Sequence, residues 1–459
     1  MTRTYRRSTV VDAPRKHVFD LHARPGAFER LAPPWSPTSV AARTGRPLEP
    51  GSQVDLRVKV GPVWNRWLAE HDAWEPGFMF SDHQVIGPFR SWEHTHHFDD
   101  EGAQTRLGDI IRYSLPFGVL GRLGAGYATR QIERMFAYRH RVTAGDLRFH
   151  TRYGGEAMHV LMTGSHGLIG SALTSFLGGG GHQVRPLQRG TSPDPGAAVW
   201  NPAAGTFSPG AFDGIDAVVH LAGESIASGR WTEARKTSIR ESRVIGTRHL
   251  CEALGKLETP PKVLVAASAI GFYGERGDEL LDESAPPGSG FLPDVCQAWE
   301  EAVAPARDRG IRVVHLRTGI VLSPLGGALA KMLTPFQFGV GGVLGSGDQY
   351  MSWIALDDML GIVLKALTDT SVSGPVNAVA PNAVTNREFT KILGRVLRRP
   401  TIFPVPAFAV RLLFGEMGDA LLLASTRVAP TRLNQAGFEF AYPDLEGALR
   451  HTLGRASRL

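Results

Sequence analysis

At 459 residues the chain is too long for one ordinary core, and 42% hydrophobic with 20% charged residues describes a soluble globular protein of two or three domains. No apolar run is long enough to span a bilayer, and the basic start Met1-Thr2-Arg3-Thr4-Tyr5-Arg6-Arg7 is not followed by an apolar signal core, which argues against membrane insertion and export. Two cysteines, Cys251 and Cys296, supply neither a disulfide framework nor a metal cluster and fit a reducing cytoplasm; the net charge of +6 comes from dispersed arginines, so nucleic acid is not an expected partner.

In residues 1–150, Tyr5 to Val11 reads as a strand and Ala13 to Leu21 starts a helix with Pro14 in its first turn. A Pro-rich piece, Phe28 to Pro37, contains Arg30-Leu31-Ala32-Pro33-Pro34-Trp35. Strand-like runs follow at Gln53–Val60, Trp64–Trp74, Phe78–Ile86, Ser91–Phe98 and Thr105–Ser114, separated by turns such as Glu75-Pro76-Gly77. A long helical pattern, Gly126 to His140, closes the segment. A helix pair, a meander and a C-terminal helix resemble the START-like superfamily of lipid-binding and polyketide cyclase/dehydrase proteins. The resemblance implies an α+β helix-grip domain around an apolar cavity that takes a lipid-like ligand. Trp64, Trp67, Trp74, Phe78, Phe80, Trp92 and Phe98 either line such a cavity or fill a sheet-on-helix core. Of His94, His96 and His97, two alternate with Trp92 and Phe98 along one strand face. No Cys or second His pair accompanies them, so a structural role is favoured and no metal is expected.

Thr143-Ala144-Gly145-Asp146 and Gly154-Gly155 flank a polar stretch that reads as the linker to residues 155–400. There Val160-Leu161-Met162-Thr163-Gly164-Ser165-His166-Gly167-Leu168-Ile169-Gly170 is a short apolar strand, a glycine turn and the start of a helix. In a dinucleotide-binding turn the first glycine permits the tight turn and the second lets backbone N–H groups approach the pyrophosphate. The third allows helix and strand to pack closely. Thr163 through Gly170 are therefore the cofactor-binding candidates, and their three-residue glycine spacing is the form seen in extended short-chain dehydrogenases. Further apolar strands at His182–Leu187, Ala217–Leu221, Lys262–Ala267 and Ile311–Leu316 alternate with helices, which implies a Rossmann-like, doubly wound parallel sheet of the α/β class. Where NAD binders carry an acidic residue at the end of the second strand, Gln188-Arg189-Gly190 stands, and Arg189 can pair with a 2′-phosphate; NADP is the expected cofactor. His220-Leu221-Ala222-Gly223-Glu224 follows a buried strand, so Leu221, Ala222 and Gly223 are expected beside the cofactor.

Val265 to Gly274 ends a core strand, where active-site groups sit in open α/β sheets. It resembles the S-x-x-x-Y-G segment of extended short-chain dehydrogenases, which implies that Ser268 holds the reacting oxygen, although Tyr273 comes one residue late. The Y-x-x-x-K pair of those enzymes is absent. On the next helix Val295-Cys296-Gln297-Ala298-Trp299-Glu300 puts Cys296 where Tyr belongs and Glu300 where Lys belongs, and a carboxylate beside a thiol raises its pKa. The catalytic candidates are thus Ser268, Tyr273, Cys296 and Glu300, with Arg317 leaving the following strand near cofactor and substrate. Ser242, Arg243, Thr318, Trp353 and Asp357 are weaker candidates.

Ser268-Ala-Ile-Gly-Phe-Tyr-Gly, Val295-Cys-x-x-Trp-Glu, Leu316-Arg-Thr-Gly-Ile-Val-Leu and Gly345-Ser-Gly-Asp-Gln-Tyr-Met-Ser-Trp together resemble the bacterial epimerase family of atypical short-chain dehydrogenase/reductases. Residues 401–459 resemble the small C-terminal domain of that family. The resemblance implies an NADP-dependent oxidoreductase or epimerase without an assigned substrate, family habit implies a homodimer, and the START-like domain is the reason to expect an apolar substrate that it delivers or sequesters. The alternative is a non-catalytic NADP-binding redox sensor with a ligand-binding START-like domain.

Overall fold

The computed structural model describes residues 2–60, 63–116, 124–190, 194 and 196–455. Two compact units emerge, one built on Met1–Arg152, the other on Tyr153–Leu177 and His182–Thr452.

In the first unit, strands β1 (Arg3–Val11), β2 (Thr38–Thr44), β3 (Gln53–Val60), β4 (Val63–Glu75), β5 (Met79–Ile86), β6 (Ser91–Glu101) and β7 (Gln104–Ser114) form one antiparallel sheet. Its order is β1-β7-β6-β5-β4-β3-β2. Helices α1 (Arg15–Ala23), α2 (Ala27–Leu31) and α3 (Ala125–Tyr153) complete it. Alternation does the sorting: on β6, Trp92, His94, His96 and Phe98 are buried while Glu93 is exposed. Trp92, Ile111 and Tyr113 pack with Ile132 and Phe136 of α3, and Phe98 and Leu107 pack with Phe19 of α1 and Leu147 of α3. This is the helix-grip arrangement.

Two sequence expectations are corrected. The closing helix does not stop near His140, and the polar stretch between Thr143–Asp146 and Gly154 is not a linker, because α3 continues to Tyr153 with Thr143 and Asp146 fully buried. The cause lies far away in sequence. Arg30 on α2 donates to both carboxylate oxygens of Asp146, at 2.8 and 2.7 Å, which lets this carboxylate be buried within the helix. Strand β2 was not anticipated, since its residues are mostly exposed and show no apolar alternation.

The second unit is an eight-stranded sheet. Its strands are β8 (His159–Thr163), β9 (Gln183–Arg189), β10 (Ala198–Asn201), β11 (Thr206–Phe207), β12 (Ala217–His220), β13 (Val263–Ala269), β14 (Arg312–Thr318) and β15 (Gly374–Ala378), in the order β11-β10-β9-β8-β12-β13-β14-β15. All neighbours are parallel except β10 with β11. Val218 lies opposite Leu161 on one side and Leu264 on the other, and all three are fully buried, which explains the unbroken apolar runs. The order reverses between β8 and β12, and ligands bind at such a switch point. Helices α4 (Leu168–Gly180), α5 (Glu233–Gly255) and α6 (Phe291–Glu301) flank it. The C-terminal stretch is threaded into the same unit: Arg427–Val428 pairs with Leu280–Leu281, and the buried Asp358 carboxylate accepts the N–H groups of Ala441 and Tyr442. Among the described residues no helix is long and apolar enough to cross a membrane.

Asp146→Ala strands a buried guanidinium, and its expected cost is about 3–5 kcal/mol. The double variant Arg30→Met/Asp146→Leu is expected to recover most of that. Chemical denaturation followed by a probe in the first unit distinguishes the two.

Candidate functional site

The glycine turn is shaped by steric necessity. Gly164 has φ +71°, and a Cβ there would stand 2.9 Å from the Leu221 carbonyl carbon. A Cβ on Gly170 would fall 2.2 Å from the Gly164 carbonyl oxygen, so the first turn of α4 rides directly on the loop. The first N–H groups of a helix have no intrahelical partner, and α4 has no acidic residue in its first turn. An anion is therefore the fitting partner for this turn, and Thr163 to Gly170 fit a dinucleotide pyrophosphate. At the end of β9, Arg189 is exposed and its side chain makes no hydrogen bond to a described residue, which suits a 2′-phosphate.

Behind the turn runs a chain of hydrogen bonds whose direction can be read. Thr163 Oγ1 accepts the N–H groups of Leu221 and Ala222, each at 3.1 Å, so its own hydroxyl donates to His220 Nδ1 at 2.7 Å. His220 Nε2–H then donates to Thr247 Oγ1 at 2.9 Å, which also accepts Trp299 Nε1–H at 3.0 Å. Burial pushes His220 down to about 4, consistent with this neutral tautomer. The chain ties β8, the loop after β12, α5 and α6 together, and Thr247 carries no local sequence signal that could have singled it out. Arg243 is half-buried beside the same loop, with its guanidinium 3.3 Å from where a Cβ on Gly223 would sit. Ser242 Oγ accepts the Glu224 N–H at 3.2 Å.

At the ends of β13 and β14 the catalytic candidates meet. Ser268 Oγ donates to Glu300 Oε1 at 2.7 Å, and Arg317 grips Glu300 through Nε–Oε1 and Nη2–Oε2 at 2.9 Å each. Arg317 Nη1 also donates to the Tyr273 hydroxyl at 3.0 Å and its guanidinium lies 3.5 Å over the Phe272 ring. Tyr273 passes its own proton to Asn377 Oδ1 at 2.7 Å. Burial alone would raise the Glu300 carboxyl, but Arg317 and Ser268 outweigh it and hold the group below its usual range. Tyr273 is fully buried and raised, chiefly by burial. Cys296 is pushed up to about 12, by burial first and by Glu300 second, so the carboxylate is a real but secondary cause. Ser268, Tyr273, Glu300 and Arg317 thus form one network, whereas Cys296 lies in the apolar cluster with Phe272 and Leu281. Asn377 and Glu283, which accepts the Asn377 backbone N–H at 3.0 Å, complete the setting without any motif to announce them. Trp353 is fully buried with its ring N–H on the Asn382 carbonyl, and Asp357 pairs with His451 at 2.7 Å.

The first unit holds a cavity of about 460 Å³ between sheet and helix. Leu31, Leu48, Leu56, Trp67, Phe80 and Trp92 give it apolar walls, and Asp82, His94, His96 and Arg139 give it a polar end. Of the aromatic residues in question, Phe98 belongs to the core, while Trp64, Trp74 and Phe78 are exposed.

Residues 160–379 match the NAD dependent epimerase/dehydratase family, residues 405–452 a domain of unknown function, and residues 11–136 the polyketide cyclase/dehydrase and lipid transport family. An epimerase family protein of Mycobacterium tuberculosis is 44% identical over 64% of this chain and 98% of its own length. The chain belongs to the epimerase family. The human epimerase family protein SDR39U1, whose structure was solved with NADPH, is 36% identical with a TM-score of 0.60, covering 64% of this chain and 99% of that one. A Corynebacterium glutamicum structure described as a nucleoside-diphosphate sugar epimerase is 36% identical with a TM-score of 0.81, and the match covers 98% of this chain and 90% of that chain.

Within this family member, two outcomes follow from the packing of the turn. Gly170→Ala is expected to weaken nicotinamide nucleotide binding at least about tenfold and to lower Tm, because the helix start must shift away from the loop; a fluorescence titration and a melting curve read both. Linkage at His220 gives a pH dependence. Its folded value of about 4 lies below the unfolded value of about 6.5, so the unfolded state takes up protons first on acidification. The stability it contributes is full above pH ~6.5 and is lost as the pH falls toward 4. In urea melts, the gap between wild type and His220→Gln is expected to narrow over that window by up to about 3 kcal/mol.

Proposed function

We propose that this chain is an NADP-dependent oxidoreductase or epimerase of its family, acting on an apolar substrate. The observation that carries the reading is the close seat of the helix start on the glycine turn at Gly164 and Gly170, with no acidic residue in the first turn of α4 and the exposed Arg189 at the neighbouring strand end. NADPH in the structure of the 36% identical human relative supports the choice of nucleotide.

Bound NADP supplies the hydride acceptor or donor. This chain's residues handle the proton. Ser268 Oγ receives the hydroxyl proton of an alcohol substrate and passes its own proton to Glu300, to which it already donates. Arg317 keeps that carboxylate ionised and fixed in direction, so it is a positioning residue. Tyr273 and Cys296, both buried and held protonated, have no part in the relay. The reverse reaction runs the same proton path backwards.

A redox-sensor reading is favoured by one observation: both Glu300 oxygens are already engaged by Arg317. The two readings separate on turnover. With a panel of alcohols and carbonyl compounds, the enzyme reading expects hydride transfer that Ser268→Ala lowers by about 10²–10⁴-fold with NADPH affinity intact. No turnover across the panel by a wild type that binds NADPH favours the sensor. Arg189→Ala is expected to weaken NADPH by about 10–100-fold and leave NADH unchanged, the range of a charge-assisted hydrogen bond. Equal loss for both nucleotides would remove Arg189 from the 2′-phosphate.

A further inference from the structure

The polar end of the first unit's cavity holds an arrangement that an apolar ligand does not need. The antiparallel register sets Asp82 of β5 opposite His94 of β6, and Asp109 of β7 opposite His96. Asp82, His94 and His96 each present a ligating atom, and the three atoms lie within 4.8 Å of one another. Sequence spacing alone offered two histidines on one strand face; the carboxylate arrives from the next strand.

Behind these groups sits a fully organised support. Thr9 hydroxyl lies 2.8 Å from His140 Nδ1, and His140 Nε2 contacts Asp109 Oδ2 at 2.5 Å. Asp109 Oδ1 takes His94 Nε2–H at 2.8 Å. With its Nε2 proton spent on Asp109, His94 directs Nδ1 at Asp82 Oδ2, 3.3 Å away. In the ion-free chain a proton held by the two carboxylates stands between these atoms, and a metal ion binds by displacing it. The separation also has a second meaning, because ligand atoms on a tetrahedral ion with bonds of about 2.0–2.1 Å stand about 3.3–3.4 Å apart. His96 is buried. Its Nδ1 lies 2.7 Å from Asp109 Oδ1 but off the hydrogen-bond direction, so that nitrogen has no hydrogen-bond partner, and the other ring nitrogen is left to serve as a ligand. A carboxylate behind a ligating imidazole is the usual support of a metal-bound histidine.

We propose that Asp82, His94 and His96 bind one divalent first-row transition ion of the zinc type at the inner end of the cavity. Asp109, itself held by His140, orients the His94 imidazole from behind. Two nitrogens and one oxygen leave a coordination position toward the cavity, where an oxygen of the bound apolar molecule completes the shell. The site is independent of the nucleotide reading, since every ligand belongs to the first unit.

The test uses the full chain with any affinity tag removed, stripped with a chelator and returned to chelator-free buffer. Cobalt(II) is titrated with visible absorption as the readout and zinc(II) by calorimetry, with Tm measured alongside. Expected are one ion per chain, visible bands of a low-symmetry four-coordinate cobalt site, and a Tm raised by the ion. His96→Gln and Asp82→Asn are expected to abolish the bands, Asp109→Asn to weaken binding about 10–100-fold, and His97→Gln, outside the triad on the same strand, to change nothing. A cooperative melt and an unchanged far-ultraviolet circular dichroism spectrum of each ion-free variant verify that the chain is folded. Weak, unsaturable uptake without cobalt bands in a folded wild type, or binding indifferent to both His96→Gln and Asp82→Asn, would overturn the proposal.

Discussion

A carboxylate brought into the interior at Glu300 must be met by a positive charge, and Arg317 meets it with two parallel hydrogen bonds. Much of the candidate site of the second unit is arranged by that pair. Arg317 uses its remaining nitrogen on Tyr273 and its flat face on Phe272, so one side chain fixes three neighbours at once. Tyr273 in turn secures Asn377 on β15, and Ser268 is left with a single acceptor. Removing either partner would leave an uncompensated buried charge, which makes the two positions a unit. Where relatives with a Tyr–Lys pair place a cation on the helix, this chain places the anion there and moves the cation to the strand.

Legibility from sequence followed the range of the interactions involved. The glycine turn was legible because its requirements are local: Gly164 needs a positive φ and Gly170 needs the absence of a Cβ, and both show in eleven consecutive residues. The parallel strands were legible because burial on both faces leaves an unbroken apolar run. The extent of α3 was not, since Thr143–Asp146 looks like a polar connection until Arg30 is known to lie against it. Edge strand β2 has too little buried surface to leave a pattern. In the candidate site, Ser268, Glu300 and Arg317 were singled out, yet their mutual bonding depends on register between β13 and β14 and could not be read from spacing. Cys296 stood in a motif position and proved to be a packing residue, because a motif fixes backbone place but not side-chain surroundings.

The two units solve the burial of polar groups differently. In the second, polar side chains behind the cofactor turn form a one-way series from Thr163 to His220 to Thr247, each with a defined donor and acceptor, so the neutral imidazole is stable in the core. In the first, polar side chains collect at one end of a cavity around Asp109, with an imidazole of His96 left over. Full satisfaction marks a structural network, whereas a buried imidazole whose Nδ1 is left without a hydrogen bond is where chemistry or binding is to be sought.

Both thiols of the chain are buried, and each is held near 12. At neutral pH neither offers a thiolate to peroxide or to an alkylating reagent while the second unit stays closed. Their modification then measures something other than reactivity. Cys251 lies on α5 one turn from Thr247 and Cys296 on α6 one turn from Trp299, the two residues whose hydrogen bond joins these helices, so the rate at which each is labelled is a clock for how often its helix opens. Comparing the two clocks with and without nucleotide would tell whether α5 and the helix bearing Glu300 open together or separately.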